Sequence, residues 1–352
     1  MRLNRWDWRY STLVLVPLSL AAARGGSSAE LVFLLSALAI VPLASYMGEA
    51  TEHLASRAGP AVGGALNATF GNAAELIIGI LALRAGLIDL VKASILGSIL
   101  GNLLLILGLS ILIAGMRQPI VRFSRTAAGM ASSMLALAVL GLTIPALFHA
   151  LHPGAASAKE LHLSEAVALV LAVTYLFSLW FSLRTHRRLF GGEHQHHETP
   201  PWSLAGAVSV LAAATAGVAL ESEILVGSVE PMAASLGVSH TFVGLILIPL
   251  VGNAAEHATA VMVARKGMMD LALQIALGSS TQIALLVAPI LVLAGLLLGP
   301  GMNLVFAPFQ VILLGLATAV VAVITLDGKS HWFEGVQLLA VYAMISVAVF
   351  FL

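Results

Sequence analysis

The chain reads as an all-α polytopic membrane protein of about eleven transmembrane helices, one N-terminal helix followed by two inverted five-helix repeats. Three observations predict this. Of the 352 residues, 59% are hydrophobic and only 10% are charged, where a soluble domain carries about 25%; the mean hydropathy is +1.00. Apolar runs long enough to span a bilayer, which takes roughly 20 residues, recur from one end to the other. The pentapeptide Gly-Asn-Ala-Ala-Glu occurs twice, at 71–75 and 252–256, 181 residues apart.

The spans are taken in order. Arg2, Arg5 and Arg9 precede a short apolar run at 10–24. A secretory signal has this form, but a retained first helix is the preferred reading. Further spans are expected at 29–55, 60–84, 87–115, 124–149 and 163–185. Their breaks fall at Gly59-Pro60, Gln118-Pro119 and His152-Pro153, where glycine and proline interrupt helices. A polar, His-rich stretch at 186–201, carrying His186, His194, His196 and His197, separates the halves; a solvated linker is preferred over a metal sensor. Beyond it, 202–235 is long enough to be broken or strongly tilted. Spans at 240–264, 270–299, 303–326 and 331–352 follow, with Asp327-Gly328 ending the tenth. The domain division is 1–27, 28–185, 186–201 and 202–352.

Charge placement tests the count. With loops numbered alternately, one side holds 13 cations: Arg2, Arg5, Arg9, Arg57, Arg117, Arg122, Arg125, Arg184, Arg187, Arg188, Arg265, Lys266 and Lys329. The other holds four: Arg24, Arg84, Lys92 and Lys159. Lys and Arg accumulate in cytoplasmic loops, so the N-terminus is expected inside and the C-terminus outside. Compact loops without a long targeting extension point to a prokaryotic cytoplasmic membrane. The lipid bilayer is the expected environment, and a homo-oligomer is possible. A net charge of zero gives no reason for nucleic-acid binding, and the absence of cysteine excludes disulfides and thiolate metal sites.

The repeat extends beyond the pentapeptide. Without gaps, the same offset pairs Arg84 with Arg265, Gly86 with Gly267, Asp89 with Asp270, and Leu96-Gly97-Ser98 with Leu277-Gly278-Ser279. Upstream it pairs Glu49 with Glu230. Five helices per copy is an odd number, so the second copy crosses the membrane in the opposite sense. Inverted repeats with a site near the midplane are the architecture of secondary transporters.

Glu75 and Glu256 lie well inside apolar spans, where a charge costs roughly 2.5–3.5 kcal/mol on insertion scales unless it faces a cavity or a partner. Asn72 and Asn253 stand three residues earlier, a spacing that places each on its glutamate's helix face. Together they form a cluster of hard oxygens suited to Ca²⁺, which takes six to eight oxygen ligands. Gly71 and Gly252 allow close approach or local unwinding. Ser98, Ser279 and Gln282 are candidates to complete the coordination or hold the carboxylates. Asn102 has no counterpart, since the matched position is Ile283. Glu49 and Glu52 on one side, and Glu223 and Glu230 on the other, are candidates to line the ion route. His257 reads as a neighbour of Glu256 rather than a ligand. Burial and close like charges favour protonated carboxyls, while a bound divalent cation favours ionised ones. The same glutamates can therefore hold either Ca²⁺ or protons.

With these residues in view, the chain resembles the calcium/cation–proton exchanger (CAX) family. The likeness runs from the second helix to the C-terminus. It is carried by Asn67-Ala68-Thr69-Phe70-Gly71-Asn72-Ala73-Ala74-Glu75, by Val251-Gly252-Asn253-Ala254-Ala255-Glu256-His257-Ala258-Thr259, and by the Gly-Ser pairs at 97 and 278. The resemblance implies Ca²⁺ binding and proton exchange at Glu75 and Glu256, supported by Asn72, Asn253, Ser98, Ser279 and Gln282, with Ca²⁺ and H⁺ as cargo and no cofactor. It also implies an acidic segment between the halves, which this His- and Arg-rich linker lacks. Neither repeat carries the Pro-Glu pair of sodium/calcium exchangers. The alternatives are a sodium-driven or monovalent cation antiporter on the same fold, a channel, and an intramembrane enzyme. Against the enzyme, no HExxH or Gly-x-Ser-x-Gly motif is found.

Overall fold

The computed structural model describes residues 11–152, 157–186, 202–299 and 301–352. It is almost entirely helical. The elements are α1 (Leu15–Arg24), α2 (Ala29–Phe70), α3 (Ala73–Arg84), α4 (Ile88–Gly115), α5 (Arg125–Leu151), α6 (Ser157–Trp180), α7 (Leu204–Leu236), α8 (His240–Gly252), α9 (Ala254–Arg265), α10 (Met269–Leu298), α11 (Pro308–Thr325) and α12 (Trp332–Phe350). Two short strands, β1 (Val121–Arg122) and β2 (Lys329–Ser330), pair antiparallel.

Among the described residues, eight helices are long and apolar enough to cross a membrane, and α8 with α9 makes a ninth span bent by 61°. The expected count of eleven is not confirmed by these described residues. Helix α1 has only ten residues, and the stretch 60–84 is divided between the end of α2 and α3. The expected start at 303 is also corrected. Residues 301–307 are extended, and the helix begins at Pro308, whose fixed φ suits a first helical turn. The long seventh span, expected to be broken or tilted, is one continuous 33-residue helix despite Pro231. The break at Gly59 is present: its φ of 79° and ψ of 170° interrupt α2, a backbone conformation that only glycine adopts without strain. The calls on Arg2, Arg5 and Arg9, and on the linker histidines after His186, fall outside the described residues.

Helix boundaries recur at the 181-residue offset. α3 and α9 each have 12 residues, starting at 73 and 254. α4 and α10 start at 88 and 269, and both contain a π-helical turn, at Gly101–Ile106 and Ile283–Val287. Such turns concentrate at functional sites because they displace the helix axis and free backbone groups. α4 is the central element, 83% buried over its apolar window, while the same measure for α6 is 17%. The outward faces of α5 and α6 carry Leu140, Leu147, Leu176 and Phe177, all more than half exposed, as surfaces meeting lipid tails should be.

The molecule has two faces. One carries Arg117, Arg122, Arg265 and Lys266, and is called the basic face below. The opposite face carries Asp89, Lys92, Glu230 and His240. There the extended segment after Gly301 inserts Met302, Leu304 and Phe306, each at most 2% exposed. Lys92 Nζ holds it by donating to Asn303 Oδ1 (2.5 Å) and the Val305 carbonyl (2.9 Å). Ser164 Oγ accepts the Leu304 N–H (2.9 Å).

Candidate functional site

Both signature motifs sit at helix breaks. Asn72 (φ −109°, ψ 24°) ends the run from α2 and precedes α3; Asn253 (φ −92°, ψ 5°) stands likewise between α8 and α9. Each asparagine thus caps the start of the helix that carries its glutamate, its backbone carbonyl accepting the N–H four residues on. The asparagines occupy the hinges, and each glutamate lies in the first turn of the following helix. Interrupted spans of this kind bring helix ends to the middle of a membrane, where they can meet ions.

The glutamates cross over to each other's half. A Cβ placed on Gly252 would lie 3.5 Å from Glu75 Oε1, and one on Gly71 would lie 3.6 Å from Glu256 Oε1. Each carboxyl therefore rests against the glycine of the opposite motif. Oε2 of Glu75, Oε2 of Glu256 and Oδ1 of Asn253 are all buried without a hydrogen-bond partner. Three oxygens left bare in a protein interior are costly, so a cluster of them suits a ligand that supplies positive charge.

The supporting amides and hydroxyls also cross between halves. Asn253 Nδ2 donates to Ser98 Oγ (3.0 Å) and to the Pro249 carbonyl (3.1 Å). The matching pair is bonded in the reverse direction, with Ser279 Oγ donating to Asn72 Oδ1 (3.4 Å). Asn72 Nδ2 donates to Gln282 Oε1 (2.6 Å). With Asn253 Nδ2 engaged by Ser98 and Pro249, Asn253 Oδ1 is left buried without a hydrogen-bond partner. Asn102 is part of the network despite lacking a repeat partner: its Nδ2 donates to Ser279 Oγ (3.0 Å), and its Oδ1 meets His257 Nε2 (3.1 Å). His257 is thus a buried neighbour held by an amide. Among the described residues, no three His, Cys, Asp or Glu side chains converge; the donor set is two carboxylates with amides and hydroxyls.

The remaining candidates fall outside this cluster. Glu49 approaches His53 (3.8 Å) on α2, and Glu52, one turn on, is exposed. Glu230 lines the cleft of the opposite face with Asp89 and His240. Glu223 is exposed and joins neither group. Sequence reasoning missed Glu221, which is fully buried on α7 and accepts a hydrogen bond from Ser19 Oγ of α1 at 2.5 Å. A Glu-Ser-Glu run at a helix centre was its signal, since only one of the two carboxylates can face outward. Ser19→Ala should lower thermal stability by about 1 kcal/mol, the scale of hydrogen bonds between membrane helices. Thermal unfolding of detergent-purified protein checks this, and Ser19→Thr should retain the wild-type midpoint.

The site can be set beside known proteins. The family model described as sodium/calcium exchanger protein matches residues 28–184 and 206–351. The chain is 45% identical to the Ca(2+)/H(+) antiporter of Synechocystis sp., over 96% of this chain and 96% of that one. The chain belongs to this exchanger family, in its calcium/cation–proton (CAX) branch. The Ca(2+)/H(+) antiporter ChaA of Bacillus subtilis is 41% identical over 96% of this chain and 97% of its own. Among solved structures, that of native YfkE superposes with a TM-score of 0.84 at 37% identity, covering 97% of this chain and all of its own. Both glutamate-bearing motifs of this exchanger lie within the two matched segments.

Proposed function

We propose that the protein exchanges Ca²⁺ for H⁺ across its membrane by alternating access, with Glu75 and Glu256 binding either the divalent cation or protons. The observation that carries this is the crossed pair of carboxyls with unpartnered oxygens at two helix breaks. Similarity to named Ca(2+)/H(+) antiporters over nearly the full chain supports it. The cation draws on Glu75, Glu256, Asn72 Oδ1 and Asn253 Oδ1, while Ser98, Ser279 and Gln282 orient the amides. Binding requires ionised carboxyls, so arriving protons release the ion and a departing proton pair makes room for it.

The two halves act as an inverted pair that is closed on one side only. On α4, Gly97 packs against the Leu245 backbone so tightly that a Cβ would lie 2.2 Å from its carbonyl oxygen. At the matched Gly278 on α10, a Cβ would meet nothing within 4 Å. Inverted repeats exchange such packing when they reorient. We therefore read this conformation as closed toward the opposite face and open toward the basic face, which the distribution of Arg and Lys assigns to the cytoplasm. The partial exposure of Glu75 and Glu256 agrees with a path from that side, and Glu49 and Glu52 stand at its approach.

Proteoliposomes with an acid interior and external ⁴⁵Ca²⁺ test the reaction. Uptake should require the pH gradient and be unchanged when external Na⁺ is varied. Uptake driven by a Na⁺ gradient instead would replace this reading with sodium-driven exchange. A second outcome concerns pH. Because protons compete for the same carboxyls, apparent Ca²⁺ affinity should fall as pH is lowered through the range where they titrate. The limiting slope is about tenfold per pH unit for each proton displaced. Equilibrium Ca²⁺ titration of purified protein across pH 6–8 measures it, and a pH-independent affinity would oppose a shared site.

A further inference from the structure

The two faces carry clefts at matched places in the repeat. On the basic face a cleft of about 220 Å³ lies between the loop after α4 and the α9–α10 turn, with Gly267 and Met269 in its wall. On the opposite face, Gly86 and Ile88, the residues 181 positions earlier, line its counterpart. Their charges differ in sign. The opposite-face cleft holds Asp89 and Glu230 around Lys92. The basic-face cleft is lined by Arg117, Arg122, Arg265 and Lys266, with no acidic residue in its wall. Such a field repels Ca²⁺ and attracts anions, so the transport site does not account for it.

Two observations bear on how these exposed cations are paired. Among the described residues, none of the four makes an ion pair. The nearby acids serve the backbone, since Asp270 Oδ1 accepts the Ser124 N–H (2.5 Å) and Asp327 Oδ1 the Lys329 N–H (2.9 Å). Moreover, Arg122 and Lys329 stand directly opposite one another across the β1–β2 pair, and like charges in that position destabilise a strand pair. One donor is already oriented: Arg117 Nη1 donates to the Arg265 carbonyl (3.0 Å), which holds the two guanidinium-bearing segments together. Gln118 Nε2 reaches 3.8 Å from the Cβ position of Gly267, adding a neutral donor to the wall.

We propose that this cleft binds a phosphate group, the planar arginines and ammonium supplying charge-assisted donors. Its surroundings favour a phosphate on a lipid. Met116, Ile120 and Met268 beside it are 74%, 42% and 49% exposed, an apolar rim that acyl chains would cover while the headgroup enters the cleft. Basic pockets between membrane helices at the cytoplasmic surface bind anionic headgroups by this geometry. The site also joins a loop of the first half to a turn of the second, so its occupant bridges segments that move relative to one another during exchange. The proposal is independent of which ion is transported.

The test uses the full chain, delipidated in neutral detergent and followed by thermal unfolding against short-chain phosphatidylglycerol, phosphatidylcholine and inorganic phosphate. Phosphatidylglycerol should raise the midpoint and phosphatidylcholine should not. The double variant Arg122→Gln/Lys266→Gln, which keeps the Arg117–Arg265 hydrogen bond, should bind phosphatidylglycerol at least tenfold more weakly; each cation near a headgroup is worth about fivefold. Arg84→Gln, at the position matched to Arg265, should bind like wild type. As a second readout, Arg122→Glu should raise the midpoint without any lipid, because it turns the opposed cations into an attractive pair, and should abolish the lipid effect. A shift with inorganic phosphate equal to that with the lipid would assign the cleft to a free phosphate. Equal phosphatidylglycerol affinity in wild type and the double variant, or no response to either phosphate source, would overturn the proposal.

Discussion

Glu75→Gln and Glu256→Gln should each abolish gradient-driven Ca²⁺ uptake, reducing it by at least about a hundredfold while leaving a folded protein. Glutamine keeps the side-chain volume over the opposite glycine, where a Cβ at Gly252 or Gly71 stands only 3.5 or 3.6 Å from the carboxyl oxygen, so packing is preserved. What is lost is a negative charge facing the ion and a titratable proton carrier. A charged hydrogen-bond or ion partner removed from a buried site costs about 3–5 kcal/mol, which corresponds to two or more decades in affinity. Thermal stability should stay the same or rise, because the substitution removes a buried, incompletely partnered carboxyl. ⁴⁵Ca²⁺ uptake in proteoliposomes and a melting curve separate the two effects. Wild-type uptake in either variant would displace that carboxyl from the site.

Gly97→Ala should slow exchange at least tenfold and open the opposite face. Its Cβ would sit 2.2 Å from the Leu245 carbonyl oxygen and 2.6 Å from the carbonyl carbon. A backbone atom cannot rotate away, so α4 and α8 must part. Overpacking costs typically 1–3 kcal/mol, enough to shift a two-state balance by about tenfold or more. The chain has no cysteine, so a single Ala93→Cys, buried where Gly244 closes on Ala93, reports the separation. A membrane-impermeant maleimide should label it in the Gly97→Ala background and not in its absence. Gly278→Ala, at the matched position, meets no atom in this conformation and should fold normally while hindering the reverse state. Protection of Ala93→Cys together with normal uptake in Gly97→Ala would remove Gly97 from the closure.

Much of the candidate site was legible in the sequence because membrane burial makes polar residues conspicuous. A glutamate in an apolar span is costly, and finding two of them in identical pentapeptides at one offset singled out Glu75 and Glu256 before any geometry. The pairs Asn72 with Asn253 and Ser98 with Ser279 came with them through the same register. Gln282 and Asn102 stood outside the strict repeat, and the hydrogen bonds that tie them in come from helices some two hundred residues apart. Glu221 was overlooked because its neighbour Glu223 is exposed, and sequence does not say which of two carboxylates on a helix turns inward. The division of the spans is hard to read for a related reason. Hydropathy registers how apolar a stretch is, whereas the breaks at Asn72 and Asn253 depend on backbone geometry imposed by packing against the other half.

The sequence by itself determined that this is a helical membrane protein of two related halves, with one carboxylate and one amide in each at corresponding places. Those properties follow from composition and from spacing along the chain, which no folding event alters. Only the tertiary structure decided that each carboxyl lies over the opposite glycine, that the asparagines stand at helix breaks, and that Gly97 is sealed while Gly278 is open. These are relations between segments brought together from distant parts of the chain. Two halves with the same motif can pack in two inequivalent ways, so an asymmetry of closure is a property of the fold and its conformation and is written in neither copy of the repeat.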